Sequence, residues 1–141
     1  MSKGLMDYVQ AAMAEINKVD VEGAKGLVAE GYKVLDVREP GEYLMDAIPG
    51  ALNVPRGVLE PAADLNYPGA NPALRDGRED NWLVVCKSGG RAALATQTLQ
   101  EMGFANVVNM VGGMDAWIQA GGATEVPSDE NSTVVLKEPC L

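Results

Sequence analysis

The run Trp82-Leu83-Val84-Val85-Cys86 constrains this chain more than any other segment. Five consecutive apolar residues leave no polar side to turn toward water. They fit a central strand of a parallel sheet that is covered on both faces, rather than an alternating surface strand. Such a strand needs parallel neighbours and crossover helices, and the flanking sequence supplies both.

Before the run, Leu5, Val9, Met13 and Ile16 share one face of an N-terminal amphipathic helix, widened by Tyr8 and Ala12. Asp20 is placed to cap a second helix that turns Ala24, Leu27 and Val28 to the core and stops at Gly31. Val34, Leu35 and Val37 read as a strand. Pro40-Gly41, Pro49-Gly50 and Pro55 then cut the chain into a helical turn at 42–44 and a short strand at 52–54. Residues 61–80, rich in Pro, Gly, Asn and Asp, predict a long surface connection ordered by short helical turns.

After the run, a helix from Arg91 to Met102 presents Leu94, Ala95, Leu99 and Met102 inward and ends at Gly103. Asn106 to Met110 gives a further strand. Gly112-Gly113 opens a short helix with Met114, Trp117 and Ile118 inward, closed by Gly121-Gly122. Strands alternating with helices predict an α/β fold of three layers, a central mostly parallel sheet with helices on both faces and right-handed crossovers. The expected organisation is one domain over residues 1–121, including the N-terminal helix, and an acidic, mobile C-terminal tail over 122–141.

Composition narrows the function. A net charge of -9 with no cluster of Lys and Arg repels phosphate backbones, so nucleic acid is not an expected partner. No apolar run approaches membrane-spanning length, and the N-terminus carries Asp7, Glu15 and Asp20 where a secretory signal would be apolar. The two cysteines, Cys86 and Cys140, do not make the disulfide framework of a small secreted domain, so a reducing, cytoplasmic setting is expected. The chain has no histidine, so its chemistry must proceed without imidazole as base or ligand, and no metal or cofactor is expected.

Cys86 stands at the C-terminal end of the buried strand, the edge at which α/β sheets bind ligands. A lone cysteine on a strand reads first as an inert core thiol. Gly89-Gly90 alone is an ordinary strand-to-helix turn, and Lys87 and Arg91 alone are a solvated rim. The combination Cys86-Lys87-Ser88-Gly89-Gly90-Arg91 changes that reading. Its glycines allow successive N–H groups to converge at a helix N-terminus as an anion nest, Ser88 adds a hydroxyl, and Lys87 and Arg91 add positive charge. A thiolate is an anion, and a helix terminus alone contributes only ~0.3–1 kcal/mol to holding one, so loop amides and cations must supply the rest.

The loop resembles the active-site loop of the rhodanese family. Agreement extends to Leu35-Asp36-Val37-Arg38-Glu39, to Ile48-Pro49-Gly50-Ala51 with Asn53-Val54-Pro55, and to Gly112-Gly113 followed by Ala116-Trp117 and Gly121. Four motifs in order, over about residues 18–121, make a specific signal. The resemblance implies the rhodanese fold and a sulfurtransferase. The Cys86 thiolate would take a sulfane sulfur from thiosulfate or another small sulfur-containing anion. The persulfide would then pass it to a thiol, cyanide or a sulfur-accepting protein. Cys86 and Arg91 would be catalytic, with Arg91 and Lys87 meeting the departing sulfite, and Lys87, Ser88, Gly89 and Gly90 would bind substrate. Asp36 and Arg38 would lie beside the loop as supporting residues, although an ion pair tying strand to loop explains them equally. Arg56 is a weaker expectation for substrate binding.

Two departures stand out. Many members read Gly-His-Ile-Pro-Gly-Ala, whereas Asp46-Ala47 precede Ile48 here, and Cys140 falls outside the shared pattern. Cys140 reads as an exposed terminal thiol; a resolving or relay cysteine is the sharper alternative. Two other functions compete. Phosphatases and arsenate reductases of related design place five residues between Cys and Arg; four here should enclose a smaller atom than a phosphoryl group. A non-catalytic sulfur carrier or partner-binding module is the second, and such modules often lack the cysteine that this chain keeps.

Overall fold

The protein is described by a computed structural model covering residues 2–128. The apolar run forms β4 (Asn81–Val85) at the centre of a five-stranded, wholly parallel sheet. Its partners are β2 (Lys33–Asp36) on one side and β5 (Asn106–Met110) on the other. Outside these lie β3 (Leu52–Asn53) and β1 (Asn17–Val19), giving the order β1-β5-β4-β2-β3. The chain therefore reverses its direction of travel across the sheet after β3, the connections leaving the neighbours β2 and β4 run in opposite directions, and the C-terminal ends of β2, β4 and β5 open together on one edge.

Burial on both faces of β4 follows the pleat. Trp82 and Val84, with Cys86 beyond the strand end, point into a core with Leu35, Leu59, Leu74 and Leu99, under α4 (Leu59–Ala63), α5 (Pro72–Arg75) and α6 (Gly90–Glu101). Leu83 and Val85 point the other way, toward Tyr43, Ile48, Met110, Met114 and Trp117, under α2 (Val21–Ala29), α3 (Pro40–Tyr43) and α7 (Gly113–Gln119). Asp20 caps α2 as expected, its carboxylate accepting the Gly23 N–H at 2.8 Å. Gly31, Gly103 and Gly121 terminate their helices at positive φ.

Several sequence expectations are corrected. Strand β1 escaped the sequence reading because Asn17-Lys18-Val19 has no apolar pattern; it joins the sheet through backbone pairing with β5 alone. Residues 61–80 are less a surface connection than a lid on the core. Ala62, Ala63 and Leu74 are fully buried, and Trp82 Nε1 donates to Gly77 O at 2.8 Å. Ile118 turns outward. Leu94 packs against α1 (Leu5–Met13) rather than the central core, because α1 lies on the outer side of α6. On α1 itself Val9 and Ala12 are buried, but Leu5 and Tyr8 are exposed. Of the expected tail, Glu125 pairs in antiparallel fashion with Ala47 through two 2.9 Å backbone bonds. Cys140 and the rest of 129–141 lie outside the described residues.

Candidate active site

The strand β4 delivers Cys86 to the open edge with its side chain only 1% exposed. The loop that follows turns back over the sulfur, and the Gly89 N–H donates to Cys86 Sγ at 3.0 Å. Gly89 has φ of +108°, a conformation that side chains resist, and it also caps α6. The loop's outward groups are tied off from behind. Met114 N donates to Cys86 O at 2.8 Å and Asp115 N to Lys87 O at 3.0 Å, so the first turn of α7 clamps both carbonyls. The close approach requires glycine: a Cβ on Gly113 would stand 2.5 Å from both of these oxygens. With the Cys86 and Lys87 carbonyls bound behind, the loop turns the Gly89 amide to the sulfur, a setting suited to holding a sulfur anion.

Arg91 opens α6, where a cation meets the positive end of the helix dipole. Glu42 compensates. Its carboxylate accepts Arg91 Nη1 at 2.7 Å and Nη2 at 3.0 Å, while the same Oε1 accepts Glu39 N at 3.0 Å. The Arg91 hydrogen bonds, helped by that from Glu39, hold the Glu42 carboxyl down at about 2 against the opposing effect of burial. Arg91 is held above its ordinary range, chiefly by the same hydrogen bonds. Lys87 is exposed and meets Asp115 at 3.1 Å. Ser88 is exposed on the rim.

Asp36 and Arg38 form a buried pair at 0% and 5% exposure. The Asp36 carboxylate accepts Arg38 Nε and Nη2 as well as its backbone N–H. Arg38 Nη2 also donates to Asp46 O at 2.6 Å, so the segment that carries Asp46-Ala47 in place of Gly-His is anchored to this pair. Asn53 Nδ2 bridges Asp36 O and Arg38 O, fixing the backbone beside the loop. Arg56 lies on a 3-10 turn (Arg56–Val58); its side chain bonds Glu60 at 3.0 Å and Thr98 at 3.2 Å, not the Cys86–Arg91 loop. The structure thus brings Cys86, Lys87, Ser88, Gly89, Gly90 and Arg91 together, sets Asp36 and Arg38 beside them, and directs Arg56 elsewhere. Glu42 is the addition. Its place at the third position of a Pro-initiated turn was readable, but its reach to a loop 49 residues away was not.

Residues 20–120 match the family described as a rhodanese-like domain. The chain is a member of the rhodanese family. An Arabidopsis thaliana relative of this rhodanese, named thiosulfate sulfurtransferase 16, chloroplastic, is 36% identical over 112 residues, which are 77% of this chain and 92% of the relative. Human thiosulfate:glutathione sulfurtransferase is 34% identical over 115 residues, 76% of this chain and 97% of its own. Among solved structures, a Rhodopseudomonas palustris protein described as of unknown function and a possible tyrosine phosphatase superposes with a TM-score of 0.82 at 31% identity, covering 89% of this rhodanese and 96% of that chain. The human single-domain sulfurtransferase gives 0.63 at 31%, covering 72% and 95%. Sulfur transfer is the chemistry named for the Arabidopsis and human proteins, and not for the Rhodopseudomonas one.

Proposed function

We propose that this rhodanese moves a sulfane sulfur through a persulfide on Cys86. The observation that carries the reading is the Gly89 N–H donating to Cys86 Sγ inside a loop whose Cys86 and Lys87 carbonyls are bound by the first turn of α7. In the first half-reaction the Cys86 thiolate attacks the outer sulfur of thiosulfate or a related anion. A Cys86 S–S bond forms, the donor S–S bond breaks, and sulfite leaves with the electron pair. In the second, a thiol, cyanide or a sulfur-accepting protein attacks the outer sulfur and Cys86 returns as thiolate. The amides of Ser88, Gly89 and Gly90 serve the anionic sulfur. Lys87, exposed and joined to Asp115 by only one weak surface contact, is free to meet the departing sulfite. Arg91, whose fork is occupied by Glu42, acts as a positioning residue that sets the loop, and Asp36 with Arg38 buttresses it. The thiol chemistry suits a reducing, cytoplasmic setting.

The test is thiocyanate formation from thiosulfate and cyanide. Wild type is expected to turn over, and Cys86→Ser to be inactive. Turnover by Cys86→Ser equal to wild type would remove the proposal, as would hydrolysis of an aryl phosphate in the absence of any thiocyanate.

A further inference from the structure

The helix α1 reads Leu-Met-Asp-Tyr-Val-Gln-Ala-Ala-Met. Its single charge, Asp7, is turned to the helix's own start, where the carboxylate accepts Gly4 N at 2.7 Å. Only Val9 and Ala12 of this helix are buried. Leu5 and Met6 are 68% and 57% exposed, and Val111, just past β5, is 40% exposed. These three line a groove of about 470 Å³ beside α1, which Ser88–Gly90 also line and Cys86 does not. Exposed aliphatic side chains gathered at one groove mark an interaction face. No lining residue carries a charge, in a chain of net charge -9.

Two amides in the same lining are incomplete. Asn109 of β5 is fully buried; its Nδ2 is spent on Met13 Sδ at 3.4 Å, and its Oδ1 has no hydrogen-bond partner among the described residues. A buried carbonyl oxygen without a donor is costly, and an incoming N–H removes that cost. Gln10, exposed on the groove, makes no side-chain hydrogen bond among the described residues. The face thus carries an acceptor that lacks a donor and a donor that lacks an acceptor, with projecting side chains next to a hollow. Such a patch is complementary to itself, as a twofold interface requires, because each copy presents the same surface. Electrostatics point the same way. Two chains of net charge -9 repel each other over their surfaces at large, and this groove lets them meet without opposing carboxylates.

We infer that a second copy of this chain occupies the groove in a twofold dimer. Leu5 and Met6 of each copy sit in the hollow of the other, and each Gln10 amide donates to Asn109 Oδ1 of the other copy. The helix at its centre has nine residues and is about 14 Å long. The interface is therefore at the small end of a range in which about 800 Å² per partner is standard, and the expected Kd is roughly 10–100 µM.

Sedimentation equilibrium of the full-length protein from about 1 to about 300 µM, a range set by that expected Kd, tests the inference in reducing buffer, where Cys86 and Cys140 form no disulfide. A concentration-dependent dimer is expected, and it should tighten as salt screens the like charges. Met6→Glu should weaken it at least tenfold. Met45→Glu, which changes a methionine 75% exposed and outside the groove, should leave it within twofold of wild type. Gln10→Ala should weaken the dimer at least threefold, yet have no effect in an Asn109→Leu background, where the acceptor is gone. A monomer at every concentration would overturn the inference and leave the face to a different protein or to residues 129–141. A dimer that loosens as salt is added, or that Met45→Glu weakens as much as Met6→Glu does, would overturn it too. An undiminished effect of Gln10→Ala in the Asn109→Leu background would contradict the reciprocal hydrogen bond and the twofold arrangement built on it.

Discussion

Glu42 and Arg91, 49 residues apart in the chain, meet through two hydrogen bonds of 2.7 and 3.0 Å, so a turn after β2 holds the first turn of α6. The pair explains how a loop ending in an arginine keeps its shape when no histidine stands nearby. It also makes Arg91 a fixture of the loop rather than a free cation.

Glu42→Gln keeps the size of the side chain and removes its charge. The variant is expected to lose about 1 kcal/mol of stability, because the pair is partly exposed, and to transfer sulfur roughly tenfold more slowly, equivalent to 1.36 kcal/mol of barrier. The sign of the pH effect follows from the lowered carboxyl. The pair's contribution is fully present above the ordinary carboxylate value of 4.5 and is lost as pH falls toward about 2. Denaturant titrations of wild type and variant at a series of pH values are expected to differ by a constant amount above pH 4.5 and to converge in acid.

Gly113→Ala forces a methyl into the space 2.5 Å from the Cys86 and Lys87 carbonyls, at φ of +59°. The expected cost is roughly 2–4 kcal/mol, from strain and from two disturbed backbone bonds, with most transfer activity lost. Gly31→Ala is the control: its φ is +98° but nothing lies within 4 Å, so only about 1–2 kcal/mol should be lost and activity kept. Chemical denaturation and thiocyanate assays on both separate crowding at the loop from conformational strain.

Asp36→Ala leaves the buried Arg38 guanidinium without its principal partner. Removing one member of such a pair typically costs about 3–5 kcal/mol, so a large fall in the denaturation midpoint is expected. Asp46 retains only a carbonyl bond and a 3.7 Å contact to Arg38, which does not replace the lost carboxylate.

Lys87→Ala removes an exposed cation and an exposed ion pair. Stability should stay within about 0.5 kcal/mol of wild type. The rate of persulfide formation from thiosulfate should fall several-fold and become less sensitive to salt, whereas transfer from the loaded protein to a neutral thiol should not change.

The parts of this fold legible in the sequence are those with a strong local signature. The run 82–86, the capping Asp20, the glycines after α2 and α6, and the loop from Cys86 to Arg91 each state their geometry in a few residues. What escaped depends on distant partners. Strand β1 is defined by the backbone of β5, not by its own side chains, and the burial of Leu74 is decided by the sheet beneath it. The pairing of Arg91 with Glu42, and the diversion of Arg56 to Glu60 and Thr98, are matters of which surfaces the crossovers bring together. Asp36 and Arg38 were correctly open to the ion-pair reading, because alternate residues leaving a strand end are close enough to bond directly.

The most direct measurement of the central claim is the intact mass of the protein after incubation with thiosulfate and removal of the excess, followed by peptide mapping. The account predicts a gain of one sulfur atom, carried on the peptide containing Cys86, absent from Cys86→Ser and discharged by cyanide. An unchanged mass, or the same gain in Cys86→Ser, would contradict it.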